Sequence, residues 1–182
     1  RLNRFSMPPR CQENSPAPWT SCKFSFHMIP YLREYVKRDL KIVIRGITSV
    51  DDALTAAEKG ANAVWISEKA HLRSAASPIS TVHNIAQTLA SLHPSCEVIL
   101  QGGARRGIDV LKAVALGAKA VCVDTDLLMW GLCRDGNSKG LQDLLSMLNE
   151  ELKLAMVLTH SRCIAEVKAN RVVEWIQPKS HQ

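Results

Sequence analysis

The sequence predicts an α/β fold: four parallel strands with flanking helices, half of an eight-stranded β/α barrel. Three observations predict it. Residues 97–126 read as strand, glycine turn, helix and second strand in one short run. The layout occurs twice. Asp52-Ala53-Leu54 through Gly60-Ala61-Asn62-Ala63-Val64-Trp65-Ile66 matches Asp109-Val110-Leu111 through Gly117-Ala118-Lys119-Ala120-Val121-Cys122-Val123. Upstream, Ile42-Val43-Ile44-Arg45-Gly46 echoes Val98-Ile99-Leu100-Gln101-Gly102. Finally, the strands are short continuous apolar runs separated by amphipathic helices, the pattern of parallel strands buried on both faces. Right-handed crossovers then bring every C-terminal strand end to one rim. A small open doubly wound sheet is the alternative arrangement of the same units.

Taken in order, residues 1–40 form a basic, irregular lead-in plus one helix. Residues 1–45 hold nine Lys/Arg against three Asp/Glu, so the net charge of +6 sits in this quarter. Pro8, Pro9, Pro16 and Pro18 break it up, and a helix is credible only over Phe26–Arg38. Such a segment could touch nucleic acid or an acidic surface, but it has no recognition motif and no regular basic helical face. A solvated loop is expected. Residues 41–182 carry the barrel half. A helix over Ile79–Leu92 precedes strand 97–101, and Val110, Leu111, Val114 and Ala115 mark the next helix. Asp135-Gly136-Asn137 reads as a turn, with Asn137 or Ser138 as N-cap. Leu141, Leu144, Leu145, Leu148, Leu152, Ala155 and Met156 then form one apolar stripe ending about Leu158. A short helix over Ile164–Asn170 leads into a polar tail.

A 182-residue chain that is 46% hydrophobic can bury a core, and no apolar run is long enough to cross a bilayer. Six cysteines without a CxxC pair read as reduced thiols of an intracellular protein. The first residue is Arg1 and no secretory signal precedes it, so the chain reads as part of something longer.

The rim of strand ends carries Arg45, then Ser67 to Lys69, then Gln101 to Arg106, then Asp124 to Asp126. At Gly102-Gly103 the chain can turn tightly and expose backbone N–H groups, and Arg105 and Arg106 open the following helix. Backbone donors, a helix N-terminus and an arginine fork suit an anionic oxygen cluster such as phosphate. A plain turn with solvated arginines is the alternative. Asp124 and Asp126 could instead be a metal pair, but two carboxylates without a histidine cluster make a weak metal signal, and no metal is expected.

Residues 41–170 resemble the C-terminal half of the FMN-dependent 2-hydroxy acid oxidase and dehydrogenase family, which includes glycolate and lactate oxidases. The stretch GGARRGIDVLKAVALGA carries the resemblance most strongly, with Trp130-Gly131-Leu132 and Glu150-Glu151-Leu152 matching the closing helices. The resemblance implies the C-terminal half of a TIM (β/α)8 barrel, an FMN cofactor and oxidation of a small 2-hydroxy acid to a 2-oxo acid. It implies a peroxisomal or mitochondrial location, although the tail Lys179-Ser180-His181-Gln182 is no S-K-L-type address. Flavin contacts would fall on Arg45, Ser67, Gly102, Gly103 and Arg105.

Departures from the family pattern bear on the chemistry. The family's S-N-H-G-A-R motif supplies the proton-abstracting histidine and the arginine that clamps the substrate carboxylate. At that register the chain reads Ser67-Glu68-Lys69-Ala70-His71-Leu72, which puts Lys69 at the base position and Leu72 at the clamp. A lysine with a pKa of about 10.4 is protonated near neutrality and has no lone pair to accept a proton. Leucine offers no charge to a carboxylate. His71 and Arg73 lie close enough to substitute only if the loop is remodelled. The second phosphate element, Gly-Arg in the family, reads Thr125-Asp126, which replaces attraction by repulsion. The expectation is a degenerate barrel half with impaired turnover. The alternative is an active oxidase with rearranged residues, completed by an N-terminal half. Unpaired edges on the first and last strands predict self-association or poor solubility.

Overall fold

The computed structural model describes residues 25–35, 40–67 and 78–167. Helix α1 (Met28–Tyr35) leads into β1 (Val43–Arg45), α2 (Val50–Glu58), β2 (Ala63–Ser67) and α3 (Pro78–Leu92). There follow β3 (Glu97–Gln101), α4 (Gly107–Ala115), β4 (Ala120–Cys122), α5 (Thr125–Asp135) and α6 (Ser138–Leu158). The strands form one parallel sheet in the order β1-β2-β3-β4, with a helix in every connection. Sequential order belongs to a barrel wall, whereas a doubly wound sheet reverses its order part-way. The half-barrel expectation holds, and the open-sheet alternative does not.

The internal repeat has a structural meaning at each of its points. Gly60 (φ 95) and Gly117 (φ 108) terminate α2 and α4 in the left-handed conformation. In both, the next alanine donates five residues back: Ala61 N to Ala56 O and Ala118 N to Ala113 O, each at 3.0 Å. The Gly-Ala pair is therefore a helix stop that turns the chain into the following strand. Strand register repeats as well. Val43↔Ala63, Ile44↔Val64 and Arg45↔Trp65 recur as Ile99↔Ala120, Leu100↔Val121 and Gln101↔Cys122.

Register decides which side chains share a face. Ile44, Val64, Ile66, Val98 and Leu100 join Ala53, Ala56, Val82, Ile85, Leu89, Ala113 and Leu116 of the helices in one buried cluster. The alternate positions Val43, Arg45, Trp65, Ile99, Gln101 and Cys122 are exposed or half-buried on the opposite face. The outer strands β1 and β4 are thus open on the face away from the helices, whereas β2 also buries Ala63 and Ser67 there.

Outside the sheet, α4 and α5 pack on α6. Leu144, Leu148 and Ala155 are buried there with Gly140, but Leu145 is 46% exposed. The stripe is narrower than the sequence suggested, because α6 is covered from one side only. A single 3-10 turn, Ile164–Glu166, stands at the start of the expected short helix; residues 168–170 of that helix lie outside the described ones.

Helix α1 is shorter than the 26–38 expectation within the described residues, and it belongs to the barrel half. Ile29 is fully buried in the main cluster. Arg33 Nη2 donates to Gly60 O at 2.6 Å and Asn62 Oδ1 at 2.8 Å, and Arg33 Nη1 donates to Leu40 O at 3.1 Å. Asn62 Oδ1 also accepts from Ile42 N at 2.9 Å. Arg33→Met is expected to lower unfolding stability by about 1–3 kcal/mol, because three carbonyl-type acceptors lose a charged donor. Urea denaturation followed by far-UV circular dichroism checks it; an unchanged midpoint would show that α1 is not held by this side chain.

Candidate functional site at the strand C-termini

Parallel pairing brings Arg45, Ser67, Gln101, the Gly102-Gly103 turn and Asp124 to the same end of the sheet. On the open face, Arg45 Nη2 donates to Gln101 Oε1 at 2.7 Å and Trp65 Nε1 donates to the same oxygen at 3.1 Å. The Arg45 guanidinium carbon lies 5.6 Å from the Trp65 ring centroid, within reach of a cation–π contact. Cys122 pairs with Gln101 in register. Burial pushes its thiol above the ordinary range, while Arg45 pulls partly the other way. Ser67 is buried at 4% exposure on the same face.

Trp65 is the member of this cluster that sequence reasoning missed. It read as one letter of the repeat. The signal was the alternation Ala63, Trp65, Ser67, which carries information only once the face away from the helices is known to hold the site.

The glycine turn is built as expected, but its surroundings differ. Gly102 (φ 92) and Gly103 (φ 75) are both left-handed, and a Cβ at Gly103 would meet open space. Helix α4 does not offer its first N–H groups to an anion. Arg105 N and Arg106 N donate to Asp109 Oδ2 at 3.1 and 3.0 Å, and Gly107 N donates to Glu151 Oε2 at 2.8 Å. The cause lies in the repeat. Helix α2 is capped by Ser49, whose hydroxyl accepts from Asp52 N at 3.1 Å. Arg106 occupies the same place in α4 and has no acceptor, so Asp109 folds back instead. Arg106 itself reaches Glu151 Oε1 at 3.4 Å, an exposed contact of small energetic weight. The arginine fork is thereby reduced to Arg105. Gly102, Gly103 and Ala104 supply the backbone donors not committed to either carboxylate.

At the end of β4 the structure moves two residues from strand to helix. Thr125 and Asp126 are the first residues of α5, not the end of the last strand. Asp124 is the N-cap, with Oδ1 accepting from Thr125 N at 2.9 Å, and Asp126 is exposed in the first turn. Both carboxylates complement the positive end of the helix. Among the described residues no cluster of His, Cys, Asp or Glu could hold a metal ion. Lys69, His71, Leu72 and Arg73 lie outside the described residues.

The half-barrel wall with a double-glycine turn after its third strand is matched by the family model of FMN-dependent dehydrogenases over residues 12–174. The chain belongs to that family. Human 2-hydroxyacid oxidase 1 is 40% identical over 135 residues, covering 74% of this chain and 35% of the human protein. A peroxisomal (S)-2-hydroxyacid oxidase of Arabidopsis thaliana is 33% identical over 151 residues, 82% of this chain and 40% of that protein. The crystal structure of mandelate oxidase with benzoyl-formic acid superposes with a TM-score of 0.70 at 32% identity, covering 80% of this chain and 42% of the other. The chain therefore spans well under half the length of these relatives.

Set against the family's FMN, the described rim fits in one place and not in another. Left-handed glycines and Arg105 suit a phosphate. The carboxylates of Asp124 and Asp126 at the next strand end do not, because a doubly charged anion beside them is repelled.

Proposed function

We propose that this FMN-dependent dehydrogenase-family chain keeps half of the 2-hydroxy acid oxidase scaffold and part of its phosphate turn, while lacking its turnover. The reversal of charge at the start of α5, where Thr125 and Asp126 stand in the place of the family's Gly-Arg and Asp124 adds a second carboxylate, carries the reading. The departures at Lys69 and Leu72 support it. A protonated lysine cannot take up a substrate proton, and leucine cannot hold a carboxylate. Arg45 points the same way, because its guanidinium is engaged by Gln101 and Trp65. The chain then acts as a noncatalytic scaffold of the family, in a peroxisomal compartment like that named for the plant relative or in a mitochondrial one.

A second reading is favoured by one observation: the chain covers only 35% of the human relative's length. In it, the chain supplies the second half of a longer 2-hydroxy acid oxidase, with FMN held jointly and His71 and Arg73 acting for the missing pair.

The purified chain, incubated with excess FMN and desalted, is expected to emerge without flavin absorbance. It is also expected to leave added FMN oxidised when lactate or mandelate is supplied anaerobically. Stoichiometric yellow protein bleached by either acid would overturn the first reading. Turnover by the full-length gene product, lost on substituting His71 or Arg73, would establish the second.

A further inference from the structure

We propose that two copies of this chain close head to tail into one eight-stranded barrel, β4 of each against β1 of the other, with Asp124 facing the partner's Arg45. The inference rests on the fold and the repeat and is independent of whether flavin binds. Both outer strands have one unpaired edge among the described residues, since β1 pairs only with β2 and β4 only with β3. The edges carry apolar side chains between their charged ends: Val43 is 41% exposed, and Val121 and Cys122 are half-buried. A patch of this kind along open strand edges needs a partner.

The molecule itself supplies the template for that partner. The register of β1 on β2 is repeated by β3 on β4, so the chain is two equivalent units. These units are joined by β2 on β3, where Ala63↔Glu97, Val64↔Val98, Trp65↔Ile99 and Ser67↔Gln101 are matched. Applying the same junction between copies pairs Val121 with the partner's Ile42 and Cys122 with the partner's Val43. It places Asp124, the equivalent of Ser67, beside the partner's Arg45, the equivalent of Gln101.

Paired residues in a parallel sheet point to the same face, so opposite charges meet on the open face at both new junctions. Nothing in the repeat required this complementarity, because the corresponding internal pair is the neutral Ser67 and Gln101. A twofold axis uses both edges of both copies at once, and the assembly closes instead of extending into a filament. The half-buried Trp65 and Ile99 then face the opposite wall rather than solvent.

Light scattering of the reduced chain is expected to give twice the 20.1 kDa protomer mass. Arg45→Asp and Asp124→Arg are each expected to raise the dimer dissociation constant at least tenfold, and the double exchange to restore it within about threefold. Asp124→Asn keeps a good N-cap for α5 while removing the charge, so its weakened dimer separates pairing from helix stability. Register is read separately. Val43→Cys, on mild oxidation, is expected to give a disulfide-linked dimer that disappears when Cys122→Ser is added, since within one chain these strands are opposite edges of the sheet. A monomer at micromolar concentration would overturn the proposal, whether the edges are free or covered by residues 1–24. A dimer indifferent to the charge exchange and unable to form the cross-link would overturn it equally.

Discussion

Gly107→Ala is expected to destabilise the chain by about 2–5 kcal/mol, measured as a shift in the urea midpoint at constant slope. An added Cβ would press on the backbone of Leu152 and lie 2.6 Å from the carbonyl carbon and Cβ of Glu151. These are atoms of another helix, with no flexible side-chain end to swing away, so α4 and α6 would have to separate. Separation breaks the 2.8 Å hydrogen bond from Gly107 N to the Glu151 carboxylate, a charge-assisted contact of about 1.5–3 kcal/mol. It also opens the smaller cluster in which Leu111 and Ala115 meet Ala155. Alanine's better helix propensity returns only about 1 kcal/mol. Gly103→Ala is the control: its Cβ would sit in open space, and the cost is that of a left-handed alanine, about 1–2 kcal/mol. A Gly107→Ala protein as stable as the parent would show that the two helices do not approach as closely as described.

Replacing Thr125 by Gly and Asp126 by Arg is expected to tighten FMN binding at least tenfold, followed by quenching of flavin fluorescence. The exchange removes one repulsive charge and adds an attractive one near the expected phosphate position. At an effective dielectric of 20, each is worth up to about 4 kcal/mol at 4 Å, reduced by solvent at this exposed turn. The opposing cost is small. Asp126 complements the positive end of α5, a contribution of about 0.3–1 kcal/mol, and Asp124 remains as the N-cap. Unchanged affinity would mean that no phosphate approaches this strand end, and the charge-reversal account of lost flavin binding would fail with it.

The wall of the barrel could be read from the chain because its signals are local and repeated. Gly60-Ala61 and Gly117-Ala118 are helix stops wherever they occur after an amphipathic run, and the apolar strand cores at Val64 and Leu100 follow directly. The rim was less accessible, since its contacts join residues far apart in sequence. Glu151 closes onto Gly107 from another helix, and Gln101 draws Arg45 and Trp65 together from two strands. Neither arrangement leaves a trace in spacing. The end of β4 was misplaced for a different reason. Asp124-Thr125-Asp126 continues a strand pattern, yet an aspartate followed by a helical run is also an N-cap, and here the cap prevails.

One turn in this molecule is a residue longer than its twin: Gly102-Gly103 stands where the first repeat has Gly46 alone. The strand ladders on either side keep the same pairing regardless. Length and charge can therefore drift at this mouth without disturbing the wall beneath, which decouples persistence of architecture from persistence of chemistry. A lineage built this way can shed its reaction one loop at a time and still inherit a body that folds.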